Sequence, residues 1–121
     1  VSSLDENFLM IRAERKPVIS KNLKGFHLYG TDLCLNAIEK GNTCYVIPFL
    51  VEHLSMGNQE ELEKHVPQFI EVHSNQTEGR FIQTTCTKFY LGKSVAQSRF
   101  YNSPFIFGLV KFWQRIKKLF Y

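Results

Sequence analysis

The stretch Gly25–Ser55, GFHLYGTDLCLNAIEKGNTCYVIPFLVEHLS, decides the fold expected for this chain. It predicts a helix capped by Thr31 or Asp32, because a short side-chain oxygen accepts hydrogen bonds from the free N–H groups of a first turn. Gly41 supplies the left-handed residue that commonly follows a helix. Thr43–Leu50, TCYVIPFL, is rich in β-branched and aromatic residues and predicts a mostly buried strand. The stretch therefore predicts an α/β unit of loop, helix, turn and strand.

The two ends of this unit carry its candidate chemistry. Asp32 opens the predicted helix, and His53 follows the predicted strand. Ligand-binding groups in open α/β sheets gather at strand ends, so we expect the two residues at one edge. An unperturbed Asp titrates near ~4, is ionised at neutral pH and can accept a proton. His53 is either a metal ligand or a plain polar residue at a strand end.

Three blocks of the chain, LDENFLMIR, GFHLYGTDLCLNAIEKG and YVIPFLVEHLS, resemble the C-terminal half of a family 2 glycosyltransferase. The resemblance covers about residues 4–56 and thins into RFIQTTC at Arg80–Cys86. It implies a nucleotide-diphospho-sugar transferase (GT-A) fold, of which this chain holds a partial sheet with flanking helices. It also implies inverting transfer of a sugar from a nucleotide-sugar donor to a glycan or lipid-linked acceptor, with Mg²⁺ or Mn²⁺ as cofactor in the intact enzyme.

The resemblance gives two residues specific roles. An acid in this loop of the family acts as general base on the acceptor hydroxyl, and Asp32 is the matching acid. Many members carry a Gly-Glu-Asp triplet before the helix, whereas this chain has a shorter loop with one acid. Asp32 is therefore either the base or only the helix-capping aspartate. His53 matches a histidine that approaches the metal–diphosphate group in related transferases.

The family's metal-binding Asp-X-Asp and its nucleotide pocket lie in an N-terminal half, and this sequence contains no Asp-X-Asp. The sequence also begins with Val1 rather than Met. We therefore expect a fragment that is inactive alone, in which 1–91 belong to the catalytic domain and 92–121 form a linker and a tail helix. A severed sheet would expose strand edges and favour self-association.

Other segments predict a simple organisation. Leu4–Ala13 predicts a strand, and Asp5 and Glu6 at its start either contact a ligand or are only solvated. Arg80–Leu91 is rich in Thr and aromatic residues and predicts extended structure.

A further helix is predicted after Asn58, which is a plausible N-cap with Glu61 three residues later. Pro67 is expected to break or kink that helix. His65 and His73 are eight residues apart with this proline between them, so we expect surface histidines rather than a metal pair.

The composition indicates one small globular domain: 121 residues, 44% hydrophobic and 21% charged. Three cysteines lack paired-ligand spacing, and Cys34 and Cys44 fall in apolar segments. Buried free thiols fit a reducing cytosol. The start shows no signal-peptide pattern, and no apolar run is long enough to span a membrane.

The C-terminal stretch Pro104–Tyr121, PFIFGLVKFWQRIKKLFY, predicts an amphipathic helix with aromatic residues and exclusively positive charge. Such a helix is typical of proteins resting on an anionic membrane. The alternative is docking on its own domain or on a partner subunit. The predicted membrane-contacting residues are Lys111, Phe112, Trp113, Arg115 and Lys118.

Two functions from different classes follow. The first is the acceptor-side part of a glycosyltransferase for bacterial surface glycans, cytoplasmic and peripheral at the inner face of the cell membrane. The second is a non-catalytic module that binds a membrane or a partner through the C-terminal helix. Nucleic acid is not an expected partner, because no recognition signature accompanies the net charge of +4.

Overall fold

The computed structural model describes residues 1–15, 18–52, 57–75 and 78–119. Within these ranges the chain forms four α-helices, one two-stranded antiparallel sheet and a 3₁₀ turn at Ala13–Arg15. The predicted α/β class is confirmed as a mixture of helices and strands. The elements are α1 (Tyr29–Glu39), α2 (Gln59–His73), β1 (Arg80–Gln83), β2 (Lys88–Leu91), α3 (Val95–Asn102) and α4 (Pro104–Leu119).

Helix α1 begins at Tyr29, earlier than the sequence predicted. The chain enters it through Leu28, whose φ of 69° is left-handed, and the Asp32 amide donates to the Leu28 carbonyl at 2.9 Å. Thr31 and Asp32 are thus the third and fourth helical residues, and the prediction that one of them caps the helix is wrong. The predicted stop is confirmed, since Gly41 follows the helix with a φ of 74°.

Helix α2 begins as predicted and ends later. The Asn58 side chain accepts from the Glu61 amide at 3.0 Å, which confirms the N-cap. The sequence predicted that Pro67 breaks or kinks the helix; the helix continues through Pro67, so the break is wrong, and the kink stays a prediction. Proline removes one hydrogen bond of the ladder. Phe69 and Ile70 beyond it are buried in the core, and this burial stabilises the continued helix.

The hairpin of β1 and β2 lies against α2 and confirms the predicted extended structure at Arg80–Leu91. Its register pairs Phe81 with Tyr90 and Ile82 with Phe89. The Phe69 ring of α2 contacts Phe89, with ring centroids 5.5 Å apart. The buried apolar core comprises Leu28, Leu35, Leu62, Phe69, Ile70, Ile82, Phe89 and Leu91.

The side chain of Asn102 connects helix α3 to β2 through two hydrogen bonds. Asn102 accepts from the Tyr90 amide at 2.8 Å and donates to the Tyr90 carbonyl at 2.7 Å. One amide side chain thereby satisfies both backbone groups of an edge residue. Helix α4 follows at once, and the predicted C-terminal helix is confirmed at Pro104–Leu119.

Two predicted strands are absent from the described structure. Leu4–Ala13 and Thr43–Leu50 form neither strand nor α-helix. A strand is stable when a neighbour satisfies its backbone groups, and in the described part of the chain neither segment pairs in a sheet. Around Pro48 the chain bends instead, with the Phe49 amide donating to the Ile47 carbonyl at 2.8 Å.

These irregular segments leave much apolar surface in contact with solvent. The accessible surface is 9141 Å². A folded monomer of 14.1 kDa is expected to expose about 6,700 Å². The chain therefore exposes surface that an isolated domain of its mass would bury, and self-association remains a prediction. The exposed apolar side chains of this region are Phe8, Met10, Ile11, Val18, Ile19, Phe26, Tyr45, Val46, Ile47, Phe49, Leu50 and Val51.

The N-terminal segment packs so closely on α1 that Gly30 has no space for a side chain. A Cβ at Gly30 would lie 2.6 Å from the Leu4 carbonyl oxygen and 3.2 Å from Glu6 Cγ. We expect Gly30→Ala to lower the free energy of unfolding by about 1–3 kcal/mol, as overpacking does. Urea denaturation measures this loss, and amide hydrogen exchange should show faster exchange in 1–8.

Gly108→Ala is the matched control. A Cβ at Gly108 in α4 meets nothing within 4 Å. Because alanine favours a helix interior over glycine, we expect an unchanged or higher stability, by up to about 1 kcal/mol. Equal effects of the two substitutions would contradict close packing at Gly30.

Candidate functional site

The most buried polar interaction of the described structure joins α1 to α2. His73 Nε2 lies 2.7 Å from Asp32 Oδ1, and both side chains are buried. The Phe69 ring stacks on His73, with centroids 4.5 Å apart. The prediction of a surface histidine at position 73 is wrong, because α2 continues through Pro67 and carries this residue into the core. His65, one of the pair, is only partly buried.

The second carboxylate oxygen of Asp32 is also occupied. Oδ2 accepts from the Ser20 amide at 2.9 Å and from Asn36 Nδ2 at 3.2 Å. Asn36 Nδ2 also donates to the Val18 carbonyl at 2.8 Å. Asp32 therefore joins α1, α2 and the segment before α1. Buried charges are stable only when paired and hydrogen-bonded, and this carboxylate meets that condition.

These contacts set the acidity of Asp32. Burial acts most strongly and would raise the pKa of Asp32, but the hydrogen bonds from His73 and Ser20 outweigh it and lower the pKa below the ordinary value. A lower pKa makes the carboxylate a weaker proton acceptor than a free aspartate. In this conformation Asp32 has no exposed surface, so a general-base role requires release from these contacts.

One contact of Asp32 borders a surface groove. Ser20, whose amide binds the carboxylate, also lines a groove together with Lys21, Gln68 and Glu71. Ser20 belongs to both places.

A second group of polar residues, which we call the α1-entrance cluster, comprises Asp5, Glu6, His27 and Tyr29. Glu6 Oε1 accepts from the Gly30 amide at 3.3 Å, and the Tyr29 hydroxyl donates to the Glu6 carbonyl at 3.0 Å. Burial is the largest influence on Glu6 and raises its pKa, although the Gly30 hydrogen bond and His27 act in the opposite direction. A raised pKa brings a carboxyl nearer to the range useful for proton transfer at neutral pH.

The residues of the α1-entrance cluster differ in their exposure to solvent. Asp5 is exposed and accepts from the Thr85 hydroxyl at 2.9 Å, so its interpretation as a solvated acid is confirmed in part. Glu6 is half-buried, so the prediction that it is only solvated is wrong. The rings of His27 and His65 are 5.7 Å apart. Sequence reasoning missed the burial of Glu6, whose one sequence signal is the small Gly30 that lets the N-terminal segment approach α1.

Of the predicted site residues, the described structure places the side chain of Asp32 in the core and that of Phe112 on the surface. His53 lies outside the described residues. Phe112 is exposed, and the side chains of Lys111, Trp113, Arg115 and Lys118 lie outside the described part. In the described ranges, no three His, Cys, Asp or Glu side chains are grouped so that they could hold a metal ion.

Cys34, Cys44 and Cys86 are free thiols. The sequence predicted buried free thiols at Cys34 and Cys44, and burial is confirmed for Cys34 only. Cys34 is buried and Cys44 is half-buried, with its Sγ 3.8 Å from the Cys34 carbonyl oxygen. Burial, assisted by the neighbouring Cys44, raises the pKa of Cys34 to about 12. A thiol that stays protonated is a poor nucleophile, so Cys34 has a packing role.

Comparisons with known proteins bear on only part of the chain. No family model matches it, and no solved structure matches it. A protein of Fuscovulum blasticum named "ATP synthase subunits region ORF 6" is 41% identical over 61 residues, which are 50% of this chain and 24% of that protein. The match spans about a quarter of that relative's length, and its name states no activity.

The hydrogen bond between Asp32 and His73 can be tested with a double-mutant cycle of Asp32→Asn and His73→Gln. Removing one partner leaves the other buried polar group without its hydrogen bond, which is expected to cost about 1–3 kcal/mol of unfolding free energy. The double variant should lose clearly less than the two single losses combined, since the residues act as a unit. Urea denaturation of the four proteins gives the coupling energy, and simple additivity would contradict the direct contact.

The lowered pKa of Asp32 predicts an acid-dependent contribution to stability. The folded state holds Asp32 ionised to lower pH than the unfolded chain, so this contribution is full above the unfolded pKa of about 3.9. It is lost as the pH falls through the lower folded-state value. The stability difference between wild type and Asp32→Asn should therefore stay constant at neutral pH and shrink as the pH falls below about 3.9 in denaturant titrations. A difference independent of pH would contradict the lowered pKa.

Proposed function

We propose that this chain is the acceptor-side part of an inverting nucleotide-sugar glycosyltransferase with a GT-A-like catalytic domain. One observation carries the proposal. The block that resembles family 2 glycosyltransferases forms the entry loop and first turns of α1, where Asp32 and the α1-entrance cluster lie. Acids and histidines are thus concentrated in the segment to which the resemblance assigns acceptor activation.

The exposed surface of the chain supports a place within a larger catalytic domain. Thr43–Leu50 has the composition of a buried strand, yet Leu50 is fully exposed and Tyr45, Val46 and Phe49 are largely exposed. A contiguous exposed apolar segment marks a contact surface, and in the proposal it contacts another part of the enzyme. In the proposal, that other part supplies the nucleotide-sugar site.

The proposed chemistry is direct displacement. An acceptor hydroxyl oxygen attacks the anomeric carbon, the carboxylate of the base takes the hydroxyl proton, and the bond to the nucleoside diphosphate breaks. Asp32 is the proposed base on the strength of the resemblance. Its release from His73 and Ser20 would both expose the carboxylate and remove the hydrogen bonds that lower its pKa. Glu6 is the alternative base, since it is only half-buried and its pKa is raised.

The proposed metal, Mg²⁺ or Mn²⁺, would stabilise charge on the departing diphosphate. The described residues do not provide a grouped set of ligands for it. We therefore assign it to no described residue and derive no step through it. His53, the candidate from the sequence, stays a prediction.

The proposed acceptor is a bacterial surface glycan or its lipid-linked precursor, and the proposed location is the cytoplasmic side of the cell membrane. The second candidate function, a non-catalytic binding module, is favoured by one observation. Helix α4 carries exposed Phe105 and Phe112 beyond what the core uses.

Sugar transfer by the complete gene product tests the proposal. Donor hydrolysis and transfer would be measured with a panel of nucleotide sugars, with and without Mn²⁺. We expect metal-dependent turnover in wild type and a loss of about 100-fold or more in Asp32→Asn, since removal of a general base typically has such an effect. Glu6→Gln and His73→Gln are the comparison variants.

Three results separate the roles. If Asp32 is the base, His73→Gln retains much more turnover than Asp32→Asn under conditions where both remain folded. If Asp32 only anchors the fold, both variants lose activity in proportion to lost stability, and Glu6→Gln loses turnover without unfolding. Absence of turnover with every donor would contradict the transferase proposal.

A further inference from the structure

The charges of this chain are divided sharply along the sequence. Residues 79–121 contain eight Lys or Arg and no Asp or Glu, so the first 78 residues carry a net charge of −4. The last acid is Glu78. The acid-free part includes β1, β2, α3 and α4. It therefore has a net charge of +8, next to a negatively charged remainder.

The elements of this acid-free part pack against one another. Asn102 of α3 holds Tyr90 of β2 through two hydrogen bonds. The ring centroids of Phe107 in α4 and Phe81 in β1 are 6.0 Å apart. The positive charge is thus carried by contiguous elements rather than by a tail alone. We call these elements the basic unit.

One face of α4 is apolar and exposed. Phe105, Leu109 and Phe112 are spaced by four and three residues, which places them on one face of a helix. They are 75%, 45% and 59% exposed, respectively. We call these three residues the exposed stripe.

The exposed stripe faces away from the domain. Phe107, the α4 residue that contacts the hairpin, is two positions from Phe105 and thus on the opposite side of the helix. A helix docked on its own domain through its apolar face would bury Phe105, Leu109 and Phe112. For these three residues, docking on the chain's own domain is therefore wrong, whereas docking on a partner subunit stays a prediction.

We propose that the basic unit binds an anionic membrane surface, with the exposed stripe inserted at the headgroup boundary. The proposal adds a binding surface and does not depend on sugar transfer. The apolar stripe supplies insertion, and the acid-free basic unit supplies attraction to negatively charged lipids. The negative remainder of the chain is repelled by the same surface, which orients the protein with α4 toward the lipid.

Charge decides between a membrane and a protein partner. Helical spacing places positions 111 and 118, both basic, on the side away from the exposed stripe, and position 115, also basic, at the border of the stripe. An apolar face backed by basic residues without any acid is the composition of interfacial helices. Protein interfaces are depleted in lysine at their core and do not require a single sign of charge. In the described residues no helix is both long and apolar enough to cross a membrane.

Vesicle co-sedimentation of the full chain tests the proposal. The vesicles are phosphatidylcholine alone or phosphatidylcholine with phosphatidylserine. We expect binding at least about tenfold tighter to the anionic vesicles, weakened by high salt. The single tryptophan, Trp113, provides a second readout through a shift of its emission on binding.

Matched variants distinguish binding through the exposed stripe from non-specific hydrophobic adsorption of the protein to vesicles. Leu109→Glu and Phe112→Glu should each weaken binding about tenfold or more, since an acid replaces an inserted apolar group. Leu50→Glu changes a side chain that is 100% exposed outside the basic unit, and it should leave binding unchanged. Lys111→Glu with Lys118→Glu should weaken binding to anionic vesicles only. Circular dichroism confirms that each variant is folded.

Several results would overturn the proposal. Equal binding to neutral and anionic vesicles would contradict the proposed attraction of the basic unit to negatively charged lipids. Equal losses from Leu50→Glu and Phe112→Glu would show that any exposed apolar residue suffices. A dimer in light scattering that Leu109→Glu dissociates, without vesicle binding by wild type, would assign the stripe to a second copy. Binding to duplex DNA that Phe112→Glu does not weaken, again without vesicle binding, would assign the basic unit to nucleic acid.

Discussion

The hydrogen bond between Asp32 and His73 is the constraint on which the described fold depends. It joins the first turn of α1 to the last residue of α2, 41 positions apart in sequence. A buried carboxylate needs hydrogen-bonding partners for both of its oxygens. His73 forms a hydrogen bond with Oδ1, and Ser20 and Asn36 donate to Oδ2. This requirement fixes the end of α2, the start of α1 and the segment before it relative to one another.

The same interaction limits the chemistry open to Asp32. A carboxylate that holds a core together is inaccessible and has a lowered pKa, whereas a general base must contact its substrate and accept a proton. Asp32 cannot do both in one conformation. Either the contacts of Ser20 and His73 open during catalysis, or proton transfer belongs to a partly exposed group such as Glu6.

In the described ranges, apolar side chains are exposed both at Thr43–Leu50 and along the exposed stripe of α4, and the charges around these two surfaces differ. The Thr43–Leu50 segment lies in the negatively charged part of the chain and has the composition of a sheet strand. The exposed stripe of α4 belongs to a basic unit without acids. A sheet-like surface suits completion by another polypeptide segment, and a basic helical one suits an anionic lipid surface. The two proposals thus concern different surfaces of the chain, and both can be true.

Local features were decided by the sequence alone. The stop at Gly41, the cap at Asn58 and the amphipathic helix from Pro104 depend on contacts within a few residues, which a sequence pattern contains. Only the tertiary structure decided that Thr43–Leu50 is not a strand, because a strand needs a neighbour to satisfy its backbone. Only the tertiary structure brought His73 to Asp32, because α2 continues through its proline and no local pattern specifies a partner 41 residues away.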